Sequence, residues 1–335
     1  MEVIEHARLE VSDTSGAGHA RRIATDLAQD VGLADADVGR VSIVVTEAAT
    51  NLVKHGGGGE LLLRSLAHDG SRGIGMLALD RGPGLANLAG AMRDGYSSSG
   101  TAGTGLGAIR RQSTLFDAYS TPGMGFALLS TIWATPPSGE FGGIVSGGVN
   151  VPHPREDVSG DAWLVHAQPG RVVVVLCDGL GHGADAAAAS SAGIDAFRRN
   201  SSGQPAAVLQ RIHEALRSTR GAAVAVAEVD RGTALVRFAG IGNIAGTIAV
   251  NGKTRSVVSH HGTAGHDVRR IQEFTYAWPA GGALVLHSDG LMSRWTLERY
   301  PGLAARHPAL MAAILYRDFR RARDDTSVVV LREAA

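Results

Sequence analysis

Residues 172–183 have the sequence VVVVLCDGLGHG, and they give the clearest indication of the fold of the second half of the chain. Its six leading apolar residues predict a buried β-strand that runs directly into Asp178 and a glycine-rich turn. Alanine-rich helices are predicted at residues 184–199 and 205–217. Many strands around two adjacent helices indicate an α+β sandwich rather than alternating βαβ units. The other predicted strands lie at residues 143–150, 162–167, 222–229, 234–239, 244–250, 283–287 and 327–331.

Three further acids lie at the ends of predicted strands. Asp161 opens one strand, Asp289 follows the strand at residues 283–287, and Asp325 precedes the last strand. Taken singly, each acid is typical of a turn or a strand cap, since Asp-Gly is a common turn dipeptide. Carboxylates delivered together to one sheet edge would instead suit a pair of Mg²⁺ or Mn²⁺ ions that activate a water for in-line attack on a phosphoester.

The order Gly-Asp, Asp-Gly-Leu-Gly-His-Gly, Ser-Asp-Gly and Asp-Asp-Thr resembles the metal-dependent protein phosphatases of type 2C, specifically their bacterial SpoIIE branch. The resemblance covers about residues 140–333. It implies an αββα sandwich in which Asp178 bridges two Mn²⁺ or Mg²⁺ ions and Gly179 offers its carbonyl. It further implies that Asp289 and Asp325 are metal ligands, and that Asp161 completes the acid cluster through water.

Two segments depart from that family pattern. Residues 239–243, AGIGN, stand where many SpoIIE-type members have Ala-Gly-His-x-Pro, and they are more similar to the RsbX phosphatases. The first motif, at Asp161, lacks a second nearby acid. His182 could suggest a zinc ligand or an acid/base group, but it lies in a glycine turn before a helix, so we favour loop structure or positioning of the site. Cys177 is interpreted as a small core residue.

In the first half of the chain, helices are predicted at residues 16–31 and 35–55, strands at 60–66 and 73–79, a third helix at 106–114 and a hairpin at 116–133. Glu47 and Asn51 are four residues apart on the second helix and therefore share one face. Such a pair is usually a solvated face, but it can also hold hydrated Mg²⁺ and deprotonate a hydroxyl. Asp80 follows an apolar strand in the sequence DRGPG, which is typical of a turn or of a site where a ligand approaches the backbone.

A glycine-rich loop, GTAGTGLG at residues 100–107, leads into the third helix. Its exposed backbone N–H groups and the helix N-terminus are suited to binding phosphates. The Gly-Lys-Ser/Thr of a Walker A loop is missing, and the loop does not follow a first strand as a dinucleotide-binding loop does.

In this order, Glu47 and Asn51, the Asp80 turn and the glycine loop resemble the nucleotide-binding boxes of GHKL ATPases, which have the Bergerat α/β sandwich fold. The resemblance covers about residues 1–134, and AMRDGYS at residues 91–97 makes it most similar to the RsbT-type anti-sigma-factor serine kinases. It implies that Glu47 is the general base, that Asn51 binds Mg²⁺ and that Asp80 binds the adenine amine of ATP. The remaining ATP-binding residues implied are Gly82, Gly84, Gly103, Thr104, Gly105, Leu106 and Gly107.

Composition narrows the class of function. The chain has 32 Lys+Arg against 32 Asp+Glu, which does not indicate a nucleic-acid surface. No apolar run reaches the roughly 18 residues of a membrane span, and the N-terminus lacks the pattern of a signal peptide. A single cysteine favours a reducing compartment. We therefore expect a cytoplasmic protein without nucleic-acid or membrane partners.

Two prolines, Pro136 and Pro137, predict a linker at residues 135–139 between a kinase domain at 1–134 and a phosphatase domain at 140–335. The two resemblances together imply a bifunctional regulator of a bacterial partner-switching pathway. Its expected partners are STAS-domain anti-sigma antagonists or stressosome-type proteins, with a sigma factor or a downstream phosphatase as further candidates. Two alternatives stay open: a phosphatase gated by a non-catalytic ATP sensor, and an anti-sigma factor that acts by sequestration.

Overall fold

The computed structural model describes residues 2–3, 5–68, 70–92, 105–137, 143–168, 170–250 and 252–334. The chain divides into two compact units, and we describe each by itself. The C-terminal unit consists of Met1–Glu5, Gly139–Arg299 and His307–Ala335, and it includes the short strand β1 (Glu2–Val3). The N-terminal unit consists of His6–Ser138 and Tyr300–Arg306.

The N-terminal unit is one antiparallel sheet covered by helices on one face. The strands are β2 (Ala7–Val11), β3 (Gly59–His68), β4 (Ser71–Leu79), β5 (Leu115–Ser120) and β6 (Phe126–Trp133), in the order β2-β3-β4-β6-β5. The helices are α1 (Thr14–Asp30), α2 (Asp35–Asn51), the short α3 (Leu88–Ala91) and α4 (Gly105–Gln112).

The spacing of the apolar residues along each helix and strand explains how these elements pack. Asp13 caps the N-terminus of α1, because its side chain accepts the N–H of Gly16. The helix buries a stripe of small residues at Ala20, Ala24 and Ala28. Every second residue of the strands, such as Leu61 and Leu63 on β3, contributes to the same core as the apolar stripes of α1 and α2. The predicted α/β sandwich is thereby confirmed.

The end of the second helix differs from the prediction. The regular α-helix stops at Asn51, and a π-helical turn, Leu52–Gly56, continues it to the glycines. Gly57 then adopts a left-handed conformation with φ +69° and ends the turn. Single π-turns often occur at functional sites. This turn follows directly after Asn51, one of the predicted site residues.

The C-terminal unit contains two packed antiparallel sheets. Its strands are β7 (Ile144–Val151), β8 (Asp161–Gln168), β9 (Arg171–Gly179), β10 (Ala222–Asp230), β11 (Leu235–Ile241), β12 (Ala245–Val250), β13 (Lys253–Ser256), β14 (Phe274–Ala277), β15 (Ala283–His287) and β16 (Thr326–Glu333). Its helices are α5 (Ala184–Arg199), α6 (Pro205–Ala215) and α7 (Pro308–Phe319). The sheet orders are β14-β11-β10-β9-β8-β1 and β13-β12-β15-β16-β7.

Strand β9 shows why residues 172–177 are apolar without interruption. Val172, Val174 and Leu176 belong to the core between the two sheets. Val173, Val175 and Cys177 belong to the core that this sheet forms with α5 and α6. A strand buried on both faces loses the usual polar alternation. Helix α7 packs on β7 and β16 of the other sheet, which completes the predicted αββα sandwich.

Four of the described strands were not predicted from the sequence, and the shortest of them, β1, has only two residues. Strand β13, KTRS, is exposed at every position, and β14, FTYA, has one buried residue. The fourth, β2, pairs with β3 at the edge of the N-terminal sheet. Short strands of this kind have too few apolar residues to be recognised from the sequence. They are strands because they form hydrogen bonds with a neighbouring strand.

Candidate active sites

The predicted metal acids of the C-terminal unit meet at one edge of the sandwich. Asp161 and Asp178 lie directly opposite each other on the antiparallel strands β8 and β9. Asp289 follows β15 and Asp325 precedes β16, and these two strands are neighbours in the other sheet. Both sheets therefore deliver carboxylates to the same site.

The electrostatics of this site show a concentration of negative charge. Burial raises the pKa of Asp178 to about 7, with further contributions from Asp289, Asp324 and Asp325. Burial and the charge of Asp178 likewise raise the pKa of Asp161 well above its usual range. The pKa of Asp325 is raised mainly by burial. Carboxylates that are desolvated beside one another favour protonation unless a cation balances them.

Carboxylate oxygens without hydrogen-bond partners show whether divalent cations would fit this site. Among the described residues, the Oδ2 atoms of Asp161, Asp178 and Asp325 are buried without a hydrogen-bond partner. Such atoms are rare in folded proteins because leaving them unpaired is costly. Oxygen ligands suit Mg²⁺ and Mn²⁺. The residues present therefore fit the two ions that the sequence implied.

The backbone segments around the acids approach their neighbours too closely to leave room for additional side chains. Asp325 Oδ1 accepts the backbone N–H of His153 at 2.8 Å. A side chain on Gly160 would place its Cβ 2.8 Å from Asp325 Oδ2, and one on Gly179 would lie 2.2 Å from the Ala186 carbonyl oxygen. Glycine is thus required at both positions by packing. The role of the Gly179 carbonyl as a ligand stays a prediction.

The metal-free protein is expected to lose stability as the pH rises from about 4 to about 7. The pKa of Asp178 lies at about 7 in the folded state, against an ordinary value of 3.8. Between these values the folded state holds a proton that the unfolded state has released, so the free energy of unfolding falls with rising pH. The loss is of the order of a few kcal/mol, since one pKa unit is worth about 1.4 kcal/mol.

Melting temperatures in EDTA at pH 5 and pH 8 measure this effect. The wild-type protein should melt lower at pH 8, and Mn²⁺ should reduce the difference. Asp178→Asn should reduce it, because asparagine does not titrate, while Asp161 and Asp325, whose pKa values are also raised, keep the remainder. An equal pH dependence in the wild-type and Asp178→Asn proteins would contradict the prediction.

In the N-terminal unit, α2 and α4 bring the first and third nucleotide motifs together. A Cβ atom built on Gly105, the first residue of α4, would lie 3.3 Å from Asn51 Oδ1 and 3.6 Å from Glu47 Oε2. Among the described residues, Asn51 Nδ2 is buried without a hydrogen-bond partner. This nitrogen is a hydrogen-bond donor available to an acceptor on a ligand, but Mg²⁺ takes oxygen ligands, so the assignment of Asn51 to Mg²⁺ stays a prediction. Leu106 and Gly107 lie in the first turn of α4, whereas Gly103 and Thr104 lie outside the described residues.

Asp80 lies at the end of β4 and is 7% exposed. Its Oδ1 accepts the backbone N–H groups of Gly82 at 2.8 Å and Phe126 at 3.1 Å. A Cβ atom on Gly82 would lie 2.9 Å from the His55 carbonyl oxygen, and one on Gly84 (φ +68°) would lie 2.3 Å from that of Thr121. The glycines of this turn are required by the protein's own backbone, whether or not a ligand approaches them.

Gly56→Ala is expected to destabilise the N-terminal unit by about 1–3 kcal/mol. Its Cβ would lie 2.7 Å from Asp80 Cβ at the end of the π-helical turn, so Asp80 would have to move. Gly39→Ala in α2 is the matched control, because nothing lies within 4 Å of its Cβ. That change should stabilise by about 0.5–1 kcal/mol. Urea unfolding measures both effects, and equal midpoints for the two variants would refute the packing argument.

Comparison with known proteins agrees with this geometry. The family model "Histidine kinase-like ATPase domain" matches residues 11–133, and "Stage II sporulation protein E (SpoIIE)" matches residues 168–333. The serine/threonine-protein kinase RsbT of Bacillus subtilis (strain 168) is 30% identical over 114 residues, which are 34% of this chain and 86% of RsbT. The chain belongs to the RsbT family through its first domain, which is fused to a SpoIIE-type phosphatase domain.

The phosphatase domain has a relative of its own. The phosphoserine phosphatase RsbX of the same organism is 20% identical over 137 residues, 41% of this chain and 69% of RsbX. A solved structure, from work on the bacterial stressosome as a modular system adapted to control secondary messenger signalling, superposes with a TM-score of 0.52 and 26% identity. It covers 56% of this chain and 99% of the matched chain. Within the described part of the chain, no helix combines the length and the apolarity that crossing a bilayer demands.

Two residues of the phosphatase site were not assigned from the sequence. Asp324 adjoins Asp325, and burial and Asp289 raise its pKa. Asn243 donates a hydrogen bond from Nδ2 to Asp289 Oδ2 at 2.7 Å. The first could have been identified from the sequence, because Asp324 is the adjacent acid in Asp-Asp-Thr at residues 324–326. The second belongs to the divergent segment 239–243, whose contact with Asp289 spans 46 residues of sequence.

Proposed function

We propose that this chain sets the phosphorylation state of a serine on a STAS-domain switch protein from both directions. The single observation that carries the proposal is that one chain contains both candidate sites. Each candidate site has buried polar atoms without a hydrogen-bond partner: Asn51 Nδ2 in the N-terminal unit, and the Oδ2 atoms of three aspartates in the C-terminal unit. Support for the STAS-domain substrate comes from the relatives named serine/threonine-protein kinase RsbT and phosphoserine phosphatase RsbX, and from the similar structure that comes from work on the bacterial stressosome.

In the kinase direction, the domain positions Mg-ATP and a serine hydroxyl. Asp80 would bind the adenine amine, Asn51 would hold Mg²⁺, and the start of α4 would face the phosphates. Glu47 takes the proton of the serine hydroxyl as its oxygen bonds to the γ-phosphorus and the bond to ADP breaks. Positioning and charge neutralisation supply most of the catalysis in reactions of this type.

In the phosphatase direction, a water oxygen bonds to phosphorus and the bond to the serine oxygen breaks, so the serine leaves protonated. Two bound divalent cations would activate the water and neutralise charge on the phosphoryl oxygens. Asp161, Asp178, Asp289 and Asp325 would hold these ions. Asn243 orients Asp289 through its 2.7 Å hydrogen bond.

Radiolabelled ATP, the full chain and a purified STAS-domain protein test the proposal. Asp178→Asn should accumulate labelled STAS protein, Glu47→Ala should form none, and the wild-type protein should show a low steady level. Labelled substrate mixed with wild-type protein after removal of ATP should release phosphate. If Asp178→Asn binds ATP but labels no STAS protein, the first domain is an ATP sensor. Capture of a sigma factor without phosphotransfer would identify sequestration.

A further inference from the structure

A second cluster of ligating side chains lies beside the phosphatase acids. His153 and Glu156 belong to the loop between β7 and β8, and His182 belongs to the turn between β9 and α5. One nitrogen or carboxylate oxygen from each lies within 4.8 Å of those of the other two. From this arrangement we infer that His153, Glu156 and His182 form a separate Zn²⁺ site, distinct from the all-carboxylate centre.

Direct contacts between the side chains hold the three residues of the cluster together. His182 Nδ1 and Glu156 Oε1 are 2.6 Å apart, so they share a proton that a metal ion bound to both would displace. The His153 and His182 rings are stacked, with centroids 4.7 Å apart and planes 12° apart. The loop between β7 and β8 and the turn after β9 are thus held against each other by these side-chain contacts.

The backbone makes room for the carboxylate. Gly183 has a φ of +75°, and a Cβ atom there would lie 2.7 Å from Glu156 Oε2. His153 Nδ1 accepts the backbone N–H of Arg155 at 3.1 Å. If His153 binds the ion through Nε2, its ring proton must move to Nδ1, and the hydrogen bond from the Arg155 N–H is lost. Partial exposure of all three side chains leaves an entry path for the ion.

The ligand chemistry selects the ion. Two histidines and one glutamate form a three-ligand set typical of zinc, with a fourth position open to water or substrate. The neighbouring carboxylates offer only oxygen and suit Mg²⁺ or Mn²⁺. One edge of the sandwich therefore carries two sites of different preference, and excess Mg²⁺ should leave the histidine site to zinc.

The two sites are connected through one loop. The backbone N–H of His153 donates to Asp325 Oδ1, while its ring belongs to the zinc cluster. His182 is four residues after Asp178 along the chain. Zinc would hold the loop that positions Asp325 against the turn that follows Asp178, which makes the cluster a positioning element for the phosphatase centre.

Calorimetric titration of Zn²⁺ in excess Mg²⁺ tests this inference. The full chain carrying Asp178→Asn and Asp289→Asn serves as parent, so that the carboxylate centre contributes little. The parent, and the parent with His261→Ala in an exposed loop, should bind one Zn²⁺ per chain. Adding His182→Ala or Glu156→Gln should weaken binding by more than the roughly 10–100-fold that the loss of an outer-shell partner costs.

Melting curves without metal verify that each variant is folded, and Glu156→Gln preserves the shape of the side chain. The inference is overturned if the parent binds no Zn²⁺. It is equally overturned if Glu156→Gln and His182→Ala bind Zn²⁺ as tightly as His261→Ala. Because no activity is measured, these outcomes are independent of the proposed kinase and phosphatase reactions.

Discussion

Asp178→Asn is expected to lower Mn²⁺-dependent hydrolysis of p-nitrophenyl phosphate by at least about 100-fold. Metal ions supply several kcal/mol of charge stabilisation in the transition state, and each 1.4 kcal/mol is worth tenfold in rate. Asp178 lies opposite Asp161 in the ladder and senses the charges of Asp289, Asp324 and Asp325. Removing its charge therefore removes the centre of the cluster.

The same substitution should stabilise the metal-free protein. Asparagine occupies the same volume without the charge that burial and three neighbouring carboxylates disfavour. Loss of activity together with a higher melting temperature in EDTA is a result that simple misfolding cannot produce. Asp195→Asn is the control, because that acid pairs with Arg198 on the exposed face of α5. Activity of Asp178→Asn equal to that of Asp195→Asn would exclude Asp178 from the reaction.

Glu47→Gln is expected to lower phosphate transfer to the STAS protein by about 10²–10⁴-fold while ATP still binds. Glutamine keeps the shape of the side chain beside Asn51 and Gly105 but cannot accept the hydroxyl proton. Calorimetry with Mg-ATP should therefore give an affinity close to that of the wild-type protein. A sensor domain would show no transfer in either protein, which distinguishes the two alternatives.

Asp26→Asn is the control for this variant, since Asp26 is an exposed acid on α1. It should leave both ATP binding and transfer unchanged. If Glu47→Gln transfers phosphate at the rate of Asp26→Asn, another group is the base. If it loses ATP binding as well, Glu47 holds the nucleotide rather than the proton.

If both proposed reactions act on one serine, running them together would only consume ATP. The chain would then need reciprocal control of its two domains. ADP release measured with and without the STAS protein, in wild-type and Asp178→Asn proteins, reports directly on such a cycle. Continuous ADP release that depends on both the STAS protein and Asp178 would reveal it.

The sequence was sufficient to predict the long or strongly apolar helices and strands and the acids at the ends of those strands. The predicted helix at residues 184–199 matches α5, and the strand at 283–287 matches β15. These segments are long or strongly apolar, so their local pattern decides their structure. By contrast, the strand at residues 253–256 has no buried residue, and only its partner β12 makes it a strand.

The chain order of acids and glycines was enough to predict where the candidate metal and nucleotide sites lie, because each carboxylate is attached to the end of a strand or to one face of a helix. Tertiary structure alone decided which side chains meet. Strand register places Asp161 opposite Asp178, Asn243 reaches Asp289 across 46 residues, and His182 meets Glu156 across 26. The physical reason is that local pattern specifies the direction of a side chain, whereas pairing of the sheets and packing of the loops specify its neighbours.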